Sequence, residues 1–268
     1  MYAFQFERAT DAANAVARLK ADGEARFLAG GQSLLAAMKL RLAAPSMLVD
    51  VSRIPGMADI RVDGNTLSVG AAARHADVAA NADVQRLIPA LATLAGGIGD
   101  RQVRAMGTLG GSLANNDPAA DYPAGVLGLN ATVVTDRRHI DADSFFRGLY
   151  ETALEPDELI TAVRFPVPER AGYVKFCNPA SRFALVGVMV ARTAGGVRVA
   201  VTGAGDSVFR CGPLEQALSA SFTAAAARAV KVDPSGLNAD LHGSAEYRAH
   251  LIPVLAARAV EQALSGRP

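Results

Sequence analysis

Short apolar stretches alternate with glycine-rich polar breaks along this chain, and the spacing of the apolar positions predicts a mixture of helices and strands. Ala13, Val16, Ala17 and Leu19 share one helical face behind a Thr10 cap, ending near Gly23. Arg26–Ala29 and Met47–Val51 read as strands. Between them a helix runs from about Ser33 to Arg41, with Leu34, Leu35 and Met38 inward and Pro45 as its stop. Residues 1–55 therefore form a small α/β unit. Ile60–Val62 and Leu67–Val69 flank Asp63-Gly64-Asn65, a hairpin pattern. Residues 76–80 and 84–94 are helical, with Pro89 opening a new helix.

Gly96 to Asp121 has no sustained period and holds Gly96, Gly97, Gly99, Gly107, Gly110 and Gly111, which predicts a long irregular segment of the kind that carries binding sites. A buried helix follows over 118–129, then a strand over 131–135, a short helix over 143–147 and a strand over 159–165. Beyond Pro166-Val167-Pro168-Glu169-Arg170 the pattern becomes an antiparallel meander. Strands cover 172–177, 184–193 and 197–202, with Gly195-Gly196 as a tight turn. Helices resume at Pro213. The last is capped by Ser244 and turns Tyr247, Leu251, Val254 and Leu255 inward. The whole predicts an α+β fold with a boundary near residue 168.

Composition narrows the function classes. Half of the 268 residues are apolar, enough for a large core, and the net charge of +1 has no basic stripe for nucleic acid. No apolar run approaches the ~20 residues that span a bilayer, and no charged-then-apolar leader follows Met1, so the expected location is cytoplasmic. Cys177 and Cys211 are too few to hold an iron–sulfur cluster, which takes about four thiolates. His75, His139, His242 and His250 have no metal-ligand spacing.

The chemistry concentrates in two related motifs. Leu28-Ala29-Gly30-Gly31-Gln32-Ser33-Leu34 places paired glycines where a strand meets a helix, and Gly107-Thr108-Leu109-Gly110-Gly111-Ser112-Leu113 repeats the theme. Adjacent glycines admit positive φ and close approach of a ligand. Successive N–H groups in such a turn make a concavity for an anion, and a following helix adds its positive end. Two such loops predict a phosphate-rich ligand held from two sides. Gly203-Ala204-Gly205 is not a dinucleotide fingerprint, because Val208 stands at the third glycine position and no helix follows. Asp117, before Pro118, reads as a helix cap. Asp121 lies among apolar neighbours, where a lone charge is costly, so it needs a partner and is a candidate ligand contact. His75 reads as a cap, Lys175 as a solvated strand lysine, and both cysteines as packing residues. No nucleophilic triad assembles.

These motifs, with Arg74-His75-Ala76-Asp77-Val78, Ile98-Gly99-Asp100-Arg101-Gln102-Val103-Arg104, Asp117-Pro118-Ala119-Ala120-Asp121 and Ser244-Ala245-Glu246-Tyr247-Arg248, resemble the FAD-binding medium subunit of molybdenum hydroxylases, the carbon monoxide dehydrogenase and xanthine dehydrogenase group. The resemblance runs nearly end to end. It implies a p-cresol methylhydroxylase-type FAD domain over 1–168, with subdomains of about 1–55 and 56–168. A smaller C-terminal domain over 169–268, antiparallel sheet plus helices, completes the fold. It implies FAD as cofactor, a small subunit with two 2Fe–2S clusters and a large molybdopterin subunit as partners, and a dimer of heterotrimers. Phe27, Leu28, Ala29, Gly30, Gly31, Gln32, Ser33 and Leu34 would wrap the pyrophosphate, with Gly30–Ser33 closest. Ile98 would pack near the cofactor. Thr108, Gly111, Ser112 and Asn115 would form the second clamp. Asp121 would accept from the cofactor, and Ile160 would cover the adenine side or the ring. Lys175 or Asn178 would reach in from the C-terminal domain, and Phe183 would lie near the outer flavin face. Gln32 departs from the histidine of many relatives, which removes a covalent flavin link there. The expected function is electron transfer from the iron–sulfur subunit through this flavin to an external acceptor. The alternatives are a self-contained flavin oxidase of the same fold and a non-catalytic nucleotide-binding protein.

Overall fold

The computed structural model describes residues 1–266. The N-terminal unit is a three-stranded parallel sheet in the order β1-β3-β2, built from β1 (Gln5–Arg8), β2 (Arg26–Leu28) and β3 (Met47–Asp50). α1 (Ala12–Ala21) and α2 (Leu34–Lys39) connect the strands. Asp11, not Thr10, caps α1 by accepting from the Asn14 N–H, and Thr10 instead donates to Asp11. Rotating the start by one residue buries Ala15, Val16 and Leu19 and leaves Ala13 and Ala17 exposed.

The second unit is a five-stranded antiparallel sheet in the order β4-β5-β10-β6-β7. It comprises β4 (Ile60–Asp63), β5 (Thr66–Gly70), β6 (Thr132–Thr135), β7 (His139–Asp141) and β10 (Ile160–Pro166). Helices α3 (His75–Ala80), α4 (Ala82–Leu87) and α5 (Pro89–Gly96) follow the hairpin, with Pro89 at the start of α5 as expected. The segment expected to be irregular contains two short helices, α6 (Arg101–Met106) and α7 (Leu109–Asn115). Each has a side-chain cap: Asp100 accepts from the Val103 N–H, and Thr108 from the Gly111 N–H. The buried helix begins later than the apolar run implies. α8 (Tyr122–Gly128) follows a turn over 118–121 in which Asp117 accepts from the Ala119 N–H. α9 (Ala142–Phe145) and a small β8 (Phe146–Gly148) and β9 (Glu151–Thr152) pair complete this unit.

Val167 to Glu169 form a short connection tied at both ends, Val167 N–H to Asn65 O and Glu169 N–H to Arg192 O. A four-stranded antiparallel sheet follows, β11 (Arg170–Cys177), β12 (Ala184–Thr193), β13 (Gly196–Thr202) and β14 (Phe209–Arg210), in sequential order. Thr193 pairs with Gly196, so the turn residues are Ala194 and Gly195. α10 (Gly212–Ala220), α11 (Ala224–Arg228) and α12 (Ala245–Ser265) cover one face of this sheet. Ser244 caps α12 as expected, but Tyr247 is exposed and Arg248 points inward, where it donates to Leu185 O, Gly203 O and Asp240.

The other face of this sheet packs on the second unit. Tyr173, Met189 and Ala200 join the same apolar core as Leu91, Leu94, Val126 and Leu129. Gly125 and Gly128 on α8 give Met189 its room: a Cβ on Gly128 would lie 2.6 Å from Met189 Cγ.

Candidate functional site

A cleft of about 780 Å³ runs between the parallel sheet, the helices of the second unit and the 181–183 turn, a volume within the ~300–1,000 Å³ range of small-molecule and cofactor sites. Its walls are two glycine loops. Gly31 has φ +72°, the left-handed region that a tight strand-to-helix turn requires here. Among the described residues, none accepts a hydrogen bond from the N–H of Gly30, Gly31, Gln32 or Ser33. Four consecutive free donors at the entrance to α2 are a donor set suited to an anion. Gly30 is packed so closely on the Met106–Gly107 backbone that a Cβ would overlap it. The two motifs, distant in sequence, thus meet at one wall.

The second loop is anchored from behind. Leu109 N–H donates to Ala73 O and Gly110 N–H to Ala71 O, and a Cβ on Gly110 would lie 2.6 Å from the Ala71 Cβ. His75 is not a cap. It is the first residue of α3, its side chain is buried, and a Cβ on Gly107 would lie 2.5 Å from its Nε2. Burial, aided by the nearby Arg104 charge, lowers its pKa to about 4, so the imidazole is neutral at physiological pH. Its Nδ1 has no partner among the described residues, and its ring lies 5.3 Å from that of Tyr122.

At the far wall Asp121 is buried, and its partners come from β11. Tyr173 Oη donates at 2.6 Å, and Lys175 Nζ lies 2.9 Å from Oδ1 and 3.0 Å from Oδ2. Burial pushes the Asp121 carboxyl up, opposed by the Lys175 charge and the Tyr173 hydroxyl. Lys175 is not a solvated strand lysine. Its side chain is 6% exposed, and it also donates to Gly97 O and Arg182 O, which uses its three protons. Nearby, Glu158 is held by Arg138 at 2.7 Å, and this lowers its pKa to about 2.

Of the residues singled out in the sequence, Phe27 to Leu34, Ile98, Thr108, Gly111, Ser112, Asn115, Asp121, Ile160 and Phe183 all line the cleft. Lys175 does not; it reaches the site through Asp121. Asn178 instead organises the 178–183 turn, accepting from the N–H groups of Ala180 and Ser181. Several lining residues have no sequence motif: Tyr150, Glu158 and Arg182; His75 stands in a motif, where it reads as a cap. Tyr150 and Arg182 have φ of +55° and +63°, a conformation that neither residue type announces. The Tyr173-x-Lys175 spacing, two residues of one strand face, is the cue that could have supplied the partner Asp121 needs.

Residues 2–168 match the family model described as "FAD binding domain in molybdopterin dehydrogenase". The chain belongs to the FAD-binding medium subunits of the molybdenum hydroxylases. It is 36% identical over 259 residues to the nicotine 6-hydroxylase medium subunit of Paenarthrobacter nicotinovorans, covering 91% of this chain and 92% of that one. It is 34% identical over 280 residues to the carbon monoxide dehydrogenase medium chain of Hydrogenophaga pseudoflava, covering 97% and 96%. The solved carbon monoxide dehydrogenase from the latter organism superposes with a TM-score of 0.89 at 33% identity, over 100% of this chain and 99% of that one. Quinoline 2-oxidoreductase from Pseudomonas putida 86 gives 0.88 at 28% identity, over 99% and 98%. The relatives are oxidoreductase subunits, and the medium-subunit family is FAD-binding. Among the described residues no helix is long and apolar enough to cross a membrane, and no group of His, Cys, Asp and Glu could hold a metal.

The cleft fits such a cofactor. Free amides of the first loop suit a pyrophosphate, apolar Ile98, Ile160 and Phe183 suit aromatic ring surfaces, and the Asp121 carboxylate suits N–H or hydroxyl donors.

Proposed function

We propose that this chain takes electrons from the 2Fe–2S clusters of a small partner subunit and passes them to an external acceptor. It would do so within a dimer of heterotrimers that includes a large molybdopterin subunit. The supporting observation is the meeting of two glycine loops at one cleft where two of the lining carboxylates are already engaged. Asp121 is bound by Tyr173 and Lys175, Glu158 by Arg138, and His75 is held neutral by burial. Carboxylates so committed are placed to bind and tune a cofactor, whereas proton transfer with an organic substrate needs a free acid or base.

When bound, FAD supplies the redox chemistry, exchanging electrons one or two at a time. The protein's part is binding and shielding. The N–H groups of Gly30–Ser33 hold the pyrophosphate, and the loop of Thr108, Gly111, Ser112 and Asn115 clamps it from the other side. Phe183 excludes water from the mouth of the cleft, and Asp121 accepts from the cofactor's donors. We further propose that 1–168 (about 1–55 and 56–168) and 169–268 act as two domains, the second closing the first at Asp121. The cytoplasm is the proposed setting, in keeping with Cys177 and Cys211 being free thiols.

The test uses the full chain purified with and without its partners. The isolated chain should show a flavin absorbance band, bleached by dithionite but not by organic substrates. Adding the iron–sulfur and molybdopterin subunits should make the band bleach with substrate. An isolated chain that oxidises a small molecule through many turnovers would replace this reading with a self-contained oxidase. A chain that takes up no flavin would refute both.

A further inference from the structure

Asp121 precedes α8, yet its side chain makes no capping bond to that helix. It is aimed instead at β11. A carboxylate offers about four acceptor positions. Lys175 spans both oxygens, and Lys175 is itself fixed by Gly97 O at 2.9 Å and Arg182 O at 3.1 Å. A single ammonium shared by both oxygens sets the carboxylate's distance but lets it rock about that one contact, because the terminal torsion of Asp is broad. The Tyr173 hydroxyl, 2.6 Å from Oδ1, supplies the second anchor that stops this rotation.

An independent feature indicates that the phenol oxygen has a built place. Gly187 lies inside β12, paired with Lys175 on one side and Thr202 on the other. It is not among the positive-φ residues, so its backbone conformation does not require glycine. A Cβ there would lie 2.6 Å from Tyr173 Oη and 2.9 Å from Thr202 Cγ2. A strand-interior glycine forgoes side-chain packing and marks a close approach. Here the approaching atom is the Tyr173 oxygen.

We infer that Tyr173 is a positioning residue for cofactor binding: its hydroxyl, admitted by Gly187, orients the Asp121 carboxylate so that its remaining acceptor positions face the cleft. The inference rests on the FAD reading above. It also assigns a task in that site to two residues outside the segment that matches the FAD-binding family model.

The experiment compares the full-length wild type with Tyr173→Phe, Gly187→Ala, Asp121→Asn and the Tyr173→Phe/Asp121→Asn double variant. FAD affinity is measured by flavin fluorescence titration, the flavin midpoint potential by dye-coupled reduction, and the fold by melting of the apoprotein. Phenylalanine keeps the ring and removes only the hydroxyl. It should weaken FAD binding about tenfold, the scale of one hydrogen bond to a charged group, and shift the potential. Gly187→Ala keeps the hydroxyl but displaces it, and should weaken binding in the same direction. In the Asp121→Asn background the Tyr173→Phe effect should shrink to about twofold or less, because the tyrosine acts through that carboxylate. Unchanged affinity and potential in Tyr173→Phe, unchanged affinity in Gly187→Ala, or an equal loss in both backgrounds would each overturn the inference while leaving the FAD reading intact. A wild type that binds no FAD overturns that reading and this one together.

Discussion

Gly30 and Met106 touch backbone to backbone: a Cβ on Gly30 would overlap the Met106 carbonyl oxygen and lie 2.7 Å from Gly107 Cα. Two glycine-loop motifs of similar sequence therefore act as one wall. Gly30→Ala must push them apart. Overpacking of this kind costs about 1–3 kcal/mol, so the melting temperature should fall modestly while flavin copurification is largely lost. Full flavin content in the alanine variant would separate the contact from cofactor binding.

Gly111 offers a cleaner probe of the second loop. A Cβ there meets only Thr108 Oγ1, at 2.9 Å, and is otherwise open. Gly111→Val should lower stability by about 0.5–2 kcal/mol, because the added Cβ displaces the Thr108 hydroxyl that caps α7. It should weaken FAD by roughly 10- to 150-fold if one charge-assisted bond of about 1.5–3 kcal/mol is lost. Equilibrium dialysis against FAD, alongside urea unfolding, measures both quantities.

His75 gives the fold a pH dependence of definite sign. Its folded pKa of about 4 lies below the ordinary 6.5, so between these values the unfolded chain binds more protons. Its contribution is fully present above pH 6.5 and is lost as pH falls toward 4, up to about 3 kcal/mol. Urea unfolding from pH 7.5 to 4.5 should therefore have a steeper slope for wild type than for His75→Gln. Parallel slopes would mean the imidazole charges freely in place.

Glu158 acts in a lower window. Its pKa falls from 4.5 to about 2 through the hydrogen bonds from Arg138, so its stabilisation is present above pH 4.5 and disappears as pH drops to 2. The Arg138 side chain is 43% exposed, so solvent screening limits the pair. Glu158→Gln should cost about 1–2 kcal/mol at neutral pH and flatten acid unfolding below pH 4.5, as followed by circular dichroism.

The sequence made the glycine loops legible because their chemistry is local. Positive φ at Gly31 and the N-terminus of a helix after a small polar residue are written in adjacent positions. The need of Asp121 for a partner was equally readable. The identity of that partner was not, because Tyr173 reaches it only through the packing of the C-terminal sheet on the second unit, β11 on α5 and β12 and β13 on α8. Helix α7 carries two glycines, which depress its intrinsic propensity, and α6, which has none, is only six residues long and shows no sustained apolar period. They are held by tertiary contacts, Gly110 against Ala71 and Gly107 against His75. Leu251 and Leu255 of α12 face inward as expected, but its first turn differs at Tyr247 and Arg248. An arginine ordinarily faces solvent, yet Arg248 is drawn inward by the carbonyls of Leu185 and Gly203. Edge strand β1 was missed because its Phe6 is 52% exposed and lacks the buried alternation of a core strand.

The ion pair at Asp121 also imposes an order on biosynthesis. Tyr173 and Lys175 follow Asp121 by 52 and 54 residues, so the ribosome releases the glycine loops and the carboxylate well before either compensating group. Until β11 has emerged and docked, a burial-ready carboxylate has no cation, and such a charge resists leaving water.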